Sequence, residues 1–116
     1  MLLIEYPPCS TCKKAEKWLE SHGFSFETRH IKENRPTAQE LRQWQQQSGL
    51  PLKKFFNTSG MIYRDLQLKD KLPTMSEEEQ YELLATDGML VKRPILLHEG
   101  KVLVGFREKE WEAALL

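Results

Sequence analysis

The sequence lacks several features that would assign it to whole classes of protein. Among its 116 residues, 17 Lys and Arg balance 17 Asp and Glu, so the formal net charge is zero and gives no general reason for binding nucleic acid or a membrane surface. No apolar run approaches the roughly 20 residues of a membrane span, and the chain does not start like a signal peptide. We therefore expect a cytoplasmic protein without direct nucleic-acid or membrane partners.

The chain also has no internal repeat, low-complexity tract or linker, and only two cysteines. A chain of this length is expected to form one domain around one core. Two cysteines in a reducing compartment are not expected to form a structural disulfide, and a bond between Cys9 and Cys12 would close too small a loop to constrain the unfolded chain much.

The first thirty residues follow the order strand, helix, strand. A short apolar run at 2–6 ends at two prolines and predicts a buried strand. Apolar residues at helical spacing predict a helix over 10–22, with Gly23 as its C-terminal cap. The alternation in 24–31 predicts a second strand. A crossover of this size favours a parallel, right-handed βαβ unit.

Helices dominate the middle of the chain, and strands return near its end. Two capping boxes predict helices that start at Thr37 and Ser76, with a loop at 57–60 between them. Strands at 95–98 and 101–106 flank a turn, and a last helix opens at Arg107. The sequence therefore predicts an α/β fold, with helices packed on a mixed sheet.

Both cysteines stand where the first predicted helix begins. Cys9 precedes the helix and Cys12 lies one turn inside it, while Lys13 and Lys14 occupy a first turn that normally favours acidic residues. Unpaired backbone N–H groups, the helix dipole and both lysines favour thiolate over thiol. This pattern predicts Cys9 as the more exposed nucleophile, with a pKa below its ordinary value of roughly 8.5, and Cys12 as the resolving thiol.

Two other interpretations of the CxxC motif stay open at this point. A tetrahedral zinc site needs two further ligands, and the only histidines, His22, His30 and His98, form no spaced pair. Two unrelated buried cysteines are the second alternative. A CxxC at a strand–helix junction of a βαβ unit favours redox chemistry over both, so we expect no bound metal.

Two motifs carry a resemblance to a known family: Cys9-Ser10-Thr11-Cys12, and VKRPILL at 91–97. Over essentially its whole length the chain resembles the ArsC/Spx family, which includes glutaredoxin-coupled arsenate reductases and the Spx transcription regulators. The segments FFNTSGMIYRDLQLKDKL at 55–72 and DGMLVKRP at 87–94 look especially like an uncharacterised bacterial branch of that family.

The resemblance implies a thioredoxin-like fold, with a mixed four-stranded sheet and a helical insertion. The core would comprise residues 1–35 and 91–116, and the insert residues 36–90, within a single domain of residues 1–116. The resemblance also makes Pro94 a cis-proline that faces the reactive Cys9. Composition alone gives an X–Pro bond only about a 5–6% chance of being cis.

An oxyanion site is a further implication of the resemblance. In the arsenate reductases a cysteine after the first strand attacks the oxyanion, and three arginines hold it. Cys9 matches the cysteine, Arg93 matches one arginine and Arg107 a second, although Arg107 also suits a surface charge at a helix start. The third position falls near Asn57, which supplies no charge, so we expect weak oxyanion binding and little or no arsenate reduction.

Together these observations favour a thiol–disulfide oxidoreductase that uses a Cys9/Cys12 couple. Its partners would be a protein disulfide and a thiol reductant such as glutathione, glutaredoxin or thioredoxin, with no bound cofactor. Two alternatives remain: an Spx-like redox-sensing regulator that binds RNA polymerase, and a genuine glutaredoxin-coupled arsenate reductase. An enzyme must cycle Cys9 with reductant and substrate, whereas a sensor need only switch.

Overall fold

Four strands form one mixed sheet in the computed structural model, which describes residues 1–116. The strands are β1 (Leu2–Glu5), β2 (Glu27–His30), β3 (Ile95–His98) and β4 (Lys101–Val104), in the spatial order β2-β1-β3-β4. Strand β1 is parallel to β2 and antiparallel to β3, and β4 is antiparallel to β3. The predicted mixed sheet and the parallel βαβ unit are both confirmed.

Six α-helices surround the sheet. They are α1 (Ser10–Ser21), α2 (Ala38–Ser48), α3 (Met61–Asp65), α4 (Leu68–Lys71), α5 (Glu77–Leu84) and α6 (Glu108–Leu115), with 3₁₀ turns at Leu52–Phe55, Leu72–Thr74 and Gly88–Leu90. Between β2 and β3 the chain forms helices, turns and one isolated bridge, Phe56 to Val91. The division into a core and an insert at 36–90 stays an interpretation of this order.

The ends of the middle helices follow directly from their sequences. Thr37 accepts a hydrogen bond from the backbone N–H of Glu40, and the Glu40 carboxylate accepts one from the backbone N–H of Thr37, so both halves of the capping box are present. Ser76 and Glu79 repeat the arrangement at the start of α5. Both predicted capping boxes are therefore confirmed.

The sheet separates two apolar clusters because its strands alternate their side chains between the faces. Leu3 of β1 packs on one face with Trp18 and Leu19 of α1 and with Trp111 of α6. Its neighbour Ile4 packs on the opposite face, against the residues of the middle helices. Helix α1, which follows the cysteine motif, is thus held by the smaller cluster, and its first turn lies at the end of β1.

Two parts of the fold differ from the sequence-based expectation. Strand β2 begins at Glu27 rather than at residue 24, because its partner β1 begins at Leu2, which pairs with Glu27. Phe24 and Phe26 instead lie half-buried against the smaller cluster. Strand β4 ends at Val104 rather than at residue 106. Helices α3 and α4 follow the predicted loop at 57–60, inside the segment predicted to be mostly helical, although no local signal marks their bounds.

None of the helices combines the length and the apolar composition needed to cross a bilayer.

Candidate functional site

Cys9 occupies the N-cap position of α1, at the junction with β1. Its backbone is extended, with φ −74° and ψ 120°, and its sulfur accepts a hydrogen bond from the backbone N–H of Cys12 at 3.3 Å. A cysteine therefore fills the role that serine, threonine or aspartate usually plays at a helix start. No acidic residue lies in the first turn of α1, so no carboxylate in that turn opposes a negative charge on the sulfur.

The environments of the two thiols shift their pKa values in opposite directions. Burial disfavours ionisation of the half-buried Cys9, but the hydrogen bonds from Cys12 and the charge of Arg93 outweigh it and hold the pKa of the Cys9 thiol below its ordinary value. Cys12 is fully buried, and this burial, together with the hydrogen bond that it gives to Cys9, raises its pKa to about 12. Both are free thiols in the structure.

Arg93 is the positive charge that the fold brings to Cys9. The Arg93–Pro94 peptide bond is cis, as the family resemblance implies, and Pro94 is buried. The Arg93 guanidinium carbon lies 5.2 Å from the centre of the Tyr6 ring, in cation–π geometry. Its Nε is buried and donates to no acceptor in the protein. Unpaired buried donors of this kind are rare, and this one belongs to the guanidinium whose charge lowers the pKa of Cys9.

Asn57 lies close to Arg93. Its Nδ2 donates to the Met89 carbonyl at 3.4 Å, and Nη1 of Arg93 reaches the same carbonyl at 3.5 Å. A Cβ at position 60 would fall 2.8 Å from Asn57 Nδ2, so Gly60 leaves room for this side chain. The structure thus brings Asn57 to the Arg93 side of the site, where it supplies an amide and no charge.

The other basic residues predicted for the site, Lys13, Lys14 and Arg107, lie exposed on the protein surface. Lys13 and Lys14 are exposed on the first turn of α1, and Arg107 is the exposed residue before α6, paired with Glu110 at 3.8 Å. Arg107 and Thr11, which lies between the two cysteines, line the same cleft. A contribution of Lys13 and Lys14 to the reactivity of Cys9 stays a prediction.

Comparison with known proteins places this site in a family. The model of the ArsC family matches residues 4–114. The chain belongs to the ArsC family. This match includes both cysteines, Asn57, Arg93, Pro94 and Arg107, and the sheet with its helices is the thioredoxin-like α/β fold of ArsC proteins. The resemblance found in the sequence is therefore confirmed.

Individual ArsC-family relatives cover nearly the whole chain. The uncharacterised protein YusI of Bacillus subtilis is 58% identical over 107 residues, which are 92% of this chain and 91% of YusI. The regulatory protein MgsR of the same organism is 30% identical and covers 95% of this chain and 86% of MgsR. A solved structure from Streptococcus mutans, described as a possible arsenate reductase, is 47% identical, with a TM-score of 0.86 over 96% of each chain.

Two neighbours of the cysteines were missed by sequence reasoning. Tyr6 packs against Arg93, and its backbone carbonyl accepts a hydrogen bond from the backbone N–H of Cys9 at 2.9 Å. Glu5 ends β1 with only 7% of its surface exposed, and it is the only buried charged residue. Burial and the nearby Glu16 carboxylate raise the pKa of Glu5, while His30 acts in the opposite direction. A carboxylate within the apolar run LLIEY was the signal that could have revealed it.

This ArsC-family site contains the parts needed for a two-thiol reaction. It has a half-buried thiol with a lowered pKa and a fully buried thiol one helical turn away. A buried carboxylate lies close enough to Cys12 to add to its raised pKa. Nowhere do three or more His, Cys, Asp or Glu side chains form a cluster suited to a metal ion.

Proposed function

We propose that the protein is a thiol–disulfide oxidoreductase in which Cys9 is the nucleophile and Cys12 is the resolving thiol. The observation that carries the proposal is the asymmetry of the pair: the pKa of Cys9 is lowered, whereas that of the buried Cys12 is raised to about 12. Attack by a thiolate is fastest when its pKa lies near the ambient pH, and the other thiol must stay protonated until it is needed.

The reaction has two steps. The Cys9 thiolate attacks one sulfur of a partner disulfide; an S–S bond forms between Cys9 and the partner, and the partner's second sulfur leaves as a thiolate and takes a proton from solvent. Cys12 then gives up its proton, for which we assign the nearby Glu5 carboxylate as acceptor, and its sulfur attacks the Cys9 sulfur. The S–S bond between Cys9 and the partner breaks, and the partner's first sulfur leaves as a thiolate that takes a proton. The partner is reduced by two electrons, and Cys9–Cys12 is oxidised to a disulfide.

A second thiol reductant must return the oxidised pair to its reduced form. Two glutathione molecules, or the two thiols of a glutaredoxin or thioredoxin, would supply the two electrons. The first thiolate attacks Cys9 and releases Cys12 as a thiol; the second attacks the mixed disulfide and releases Cys9, so that the reductant ends as a disulfide. Because Cys12 is fully buried, the incoming thiolate meets Cys9 first. Return of the pair to the reduced state is what makes the protein an enzyme rather than a single-use reagent.

Trapping of the mixed disulfide tests the proposal. Cys12→Ser is expected to accumulate a stable adduct with a disulfide substrate, and Cys9→Ser is expected to form none. Mild oxidant should remove two hydrogen atoms from the intact mass of the unmodified chain, and a dithiol should restore them. An adduct located by mass spectrometry on Cys12 of the Cys9→Ser variant, formed as fast as on the native chain, would refute the assigned roles.

Arsenate reduction is the second candidate function, supported by Cys9, Arg93 and the unpaired Arg93 Nε. Asn57 opposes it, because loss of one donor to a reacting anion commonly costs about a hundredfold in rate, or about 3 kcal/mol. We expect weak arsenate or sulfate binding and little or no turnover in an assay coupled to glutathione, glutaredoxin and an NADPH-linked reductase. Rapid arsenate-dependent turnover that Cys9→Ser and Arg93→Ala both abolish would establish this function instead.

A redox-sensing regulator is the third candidate, supported by the similarity to the regulatory protein MgsR. Such a protein would bind RNA polymerase and use the Cys9–Cys12 pair as a switch. Trapping on Cys9 in the Cys12→Ser variant separates this candidate from the first. An enzyme yields disulfide-bearing substrates as adducts, whereas a regulator yields none and is recovered with polymerase without a covalent bond.

A further inference from the structure

A basic cleft opens beside the cysteine motif. It encloses about 710 Å³, and its rim carries four cations, Lys53, Lys54, Lys92 and Arg107, against one carboxylate, Glu110. Thr11, between the two cysteines, forms part of its wall. The whole chain has no net charge, so a local excess of three positive charges marks this surface as different from the rest.

The chemistry of the rim favours carboxylates over a single tetrahedral oxyanion. Three of the four cations are lysines, which act as separate, well-hydrated point charges, whereas phosphate-like groups are best held by converging guanidinium forks. The cations also come from three separate segments: the 3₁₀ turn before Phe56, the residue before Arg93, and the residue before α6. Charges spread in this way match several carboxylates along an extended ligand.

The floor of the basic cleft adds an apolar component. Phe56, Val104 and Phe106 contribute to its lining, and Val104 ends β4, the outer strand of the sheet. A small free acid has no side chain to place against such a floor. A polypeptide segment offers carboxylates for the rim and apolar side chains for the floor at the same time.

We propose that the basic cleft docks an acidic polypeptide segment that flanks the disulfide of a protein substrate. The proposal rests on the thiol–disulfide oxidoreductase function and names the class of its substrate. Docking places the partner's disulfide at Cys9 by way of the wall at Thr11, and the positive rim raises the rate of encounter with acidic partners. The cleft adds no chemical step; it selects which disulfide Cys9 attacks.

Two synthetic peptides test the proposal. Both carry the same mixed disulfide to a coloured leaving thiol; one has several aspartates beside it, and the other has asparagines in the same positions. Release of the coloured thiol by Cys9 is expected to be on the order of tenfold faster with the acidic peptide at low salt. Added salt should remove this advantage, because Lys53, Lys54 and Arg107 are exposed and their charges are screened.

Two double variants that replace lysine by glutamate test the role of the cleft charges, one inside the cleft and one outside it as a control. Lys53→Glu with Lys54→Glu is expected to bring the ratio of the two rates close to one. Lys69→Glu with Lys71→Glu, which reverses two exposed lysines of α4 outside the cleft, is expected to keep the native ratio. A small neutral disulfide should react at the same rate with all three proteins, which verifies that each variant is folded and that its Cys9 is intact.

The outcomes separate this proposal from the function on which it rests. Equal rates with both peptides, or an unchanged ratio after reversal of Lys53 and Lys54, would overturn the docking proposal while the neutral disulfide still reacts. A small tripeptide disulfide that gains as much from its carboxylates as the acidic peptide would overturn docking of an extended segment. Failure of Cys9 to react even with the neutral disulfide would overturn the proposed function and the docking proposal together.

Discussion

Replacement of Arg93 by glutamine should show which charge activates Cys9. Glutamine keeps a polar side chain of similar length but removes the positive charge that lowers the pKa of the Cys9 thiol. Hydrogen bonds to charged groups contribute roughly 1.5–3 kcal/mol. Arg93 and Cys9 are both half-buried, so solvent screening reduces the expected loss to about 1 kcal/mol. The thiolate population below the midpoint should then fall about fivefold.

The pH profile of alkylation is the right measurement, since a single rate would underestimate the effect. A thiolate becomes intrinsically more nucleophilic as its pKa rises, which offsets about half of the loss on a logarithmic scale. The midpoint for Arg93→Gln should therefore move to higher pH while the plateau rises slightly. Cys12 does not interfere, because it is fully buried and its pKa is about 12.

Two further variants test whether Arg93 is the charge that lowers the pKa of the Cys9 thiol. Arg107→Gln removes an equal charge from a side chain that is 77% exposed, and it should leave the midpoint where it is. Lys13→Gln with Lys14→Gln tests the charges that the sequence suggests as the cause. If the lysine variant moved the midpoint as far as Arg93→Gln, or if Arg93→Gln moved nothing, the assignment of Arg93 as the activating charge would be wrong.

Three further predictions concern the fold and the second step. Gly88→Ala should destabilise the protein by more than about 3 kcal/mol in urea unfolding, since the new Cβ would lie 1.8 Å from the Ile31 carbonyl oxygen; exposed Glu82→Ala is the control. Glu40→Gln should lower the free energy of unfolding by about 1 kcal/mol at neutral pH, because the hydrogen bond from Arg29 lowers the pKa of Glu40. This difference between variant and native chain should vanish as the pH falls from about 4.5 through the lower pKa of Glu40 in the folded state. The Glu5 carboxylate lies close enough to Cys12 to raise its pKa, and we expect it to accept the Cys12 proton in the second step. Glu5→Gln should therefore slow resolution of the mixed disulfide about a hundredfold without slowing its formation, as stopped-flow accumulation of the adduct would show; equal slowing of both steps would refute this role.

The sequence predicted those elements whose local signals and tertiary packing agree. The capping boxes at Thr37 and Ser76 start their helices as expected, because a cap acts within one turn. Helices α3 and α4 have no side-chain cap and only four or five residues each. They are held by burial of Tyr63 and Leu68 in the larger cluster, which a local pattern does not reveal.

The features of the candidate site likewise fall into those that were predicted from the sequence and those that were not. The position of Cys9 at a helix start follows from local pattern, and the family resemblance supplied Arg93 and the cis bond before Pro94. Contacts between segments distant in sequence could not be predicted: the ring of Tyr6 under Arg93, and the burial of Glu5 beside Cys12. These depend on how β1, α1 and the start of β3 meet, and therefore on the finished fold.

Burial of Cys12 also determines how the protein would survive an oxidant such as peroxide. Oxidation begins at an accessible thiolate, so Cys9 is the sulfur that would become a sulfenic acid, while Cys12 is shielded. A sulfenic acid that waits for a second oxidant molecule passes to the irreversible sulfinic and sulfonic acids. With Cys12 one helical turn away, condensation to a disulfide competes with that damage, and a dithiol can reverse it. The buried Cys12 would thus protect the more accessible Cys9 from irreversible oxidation.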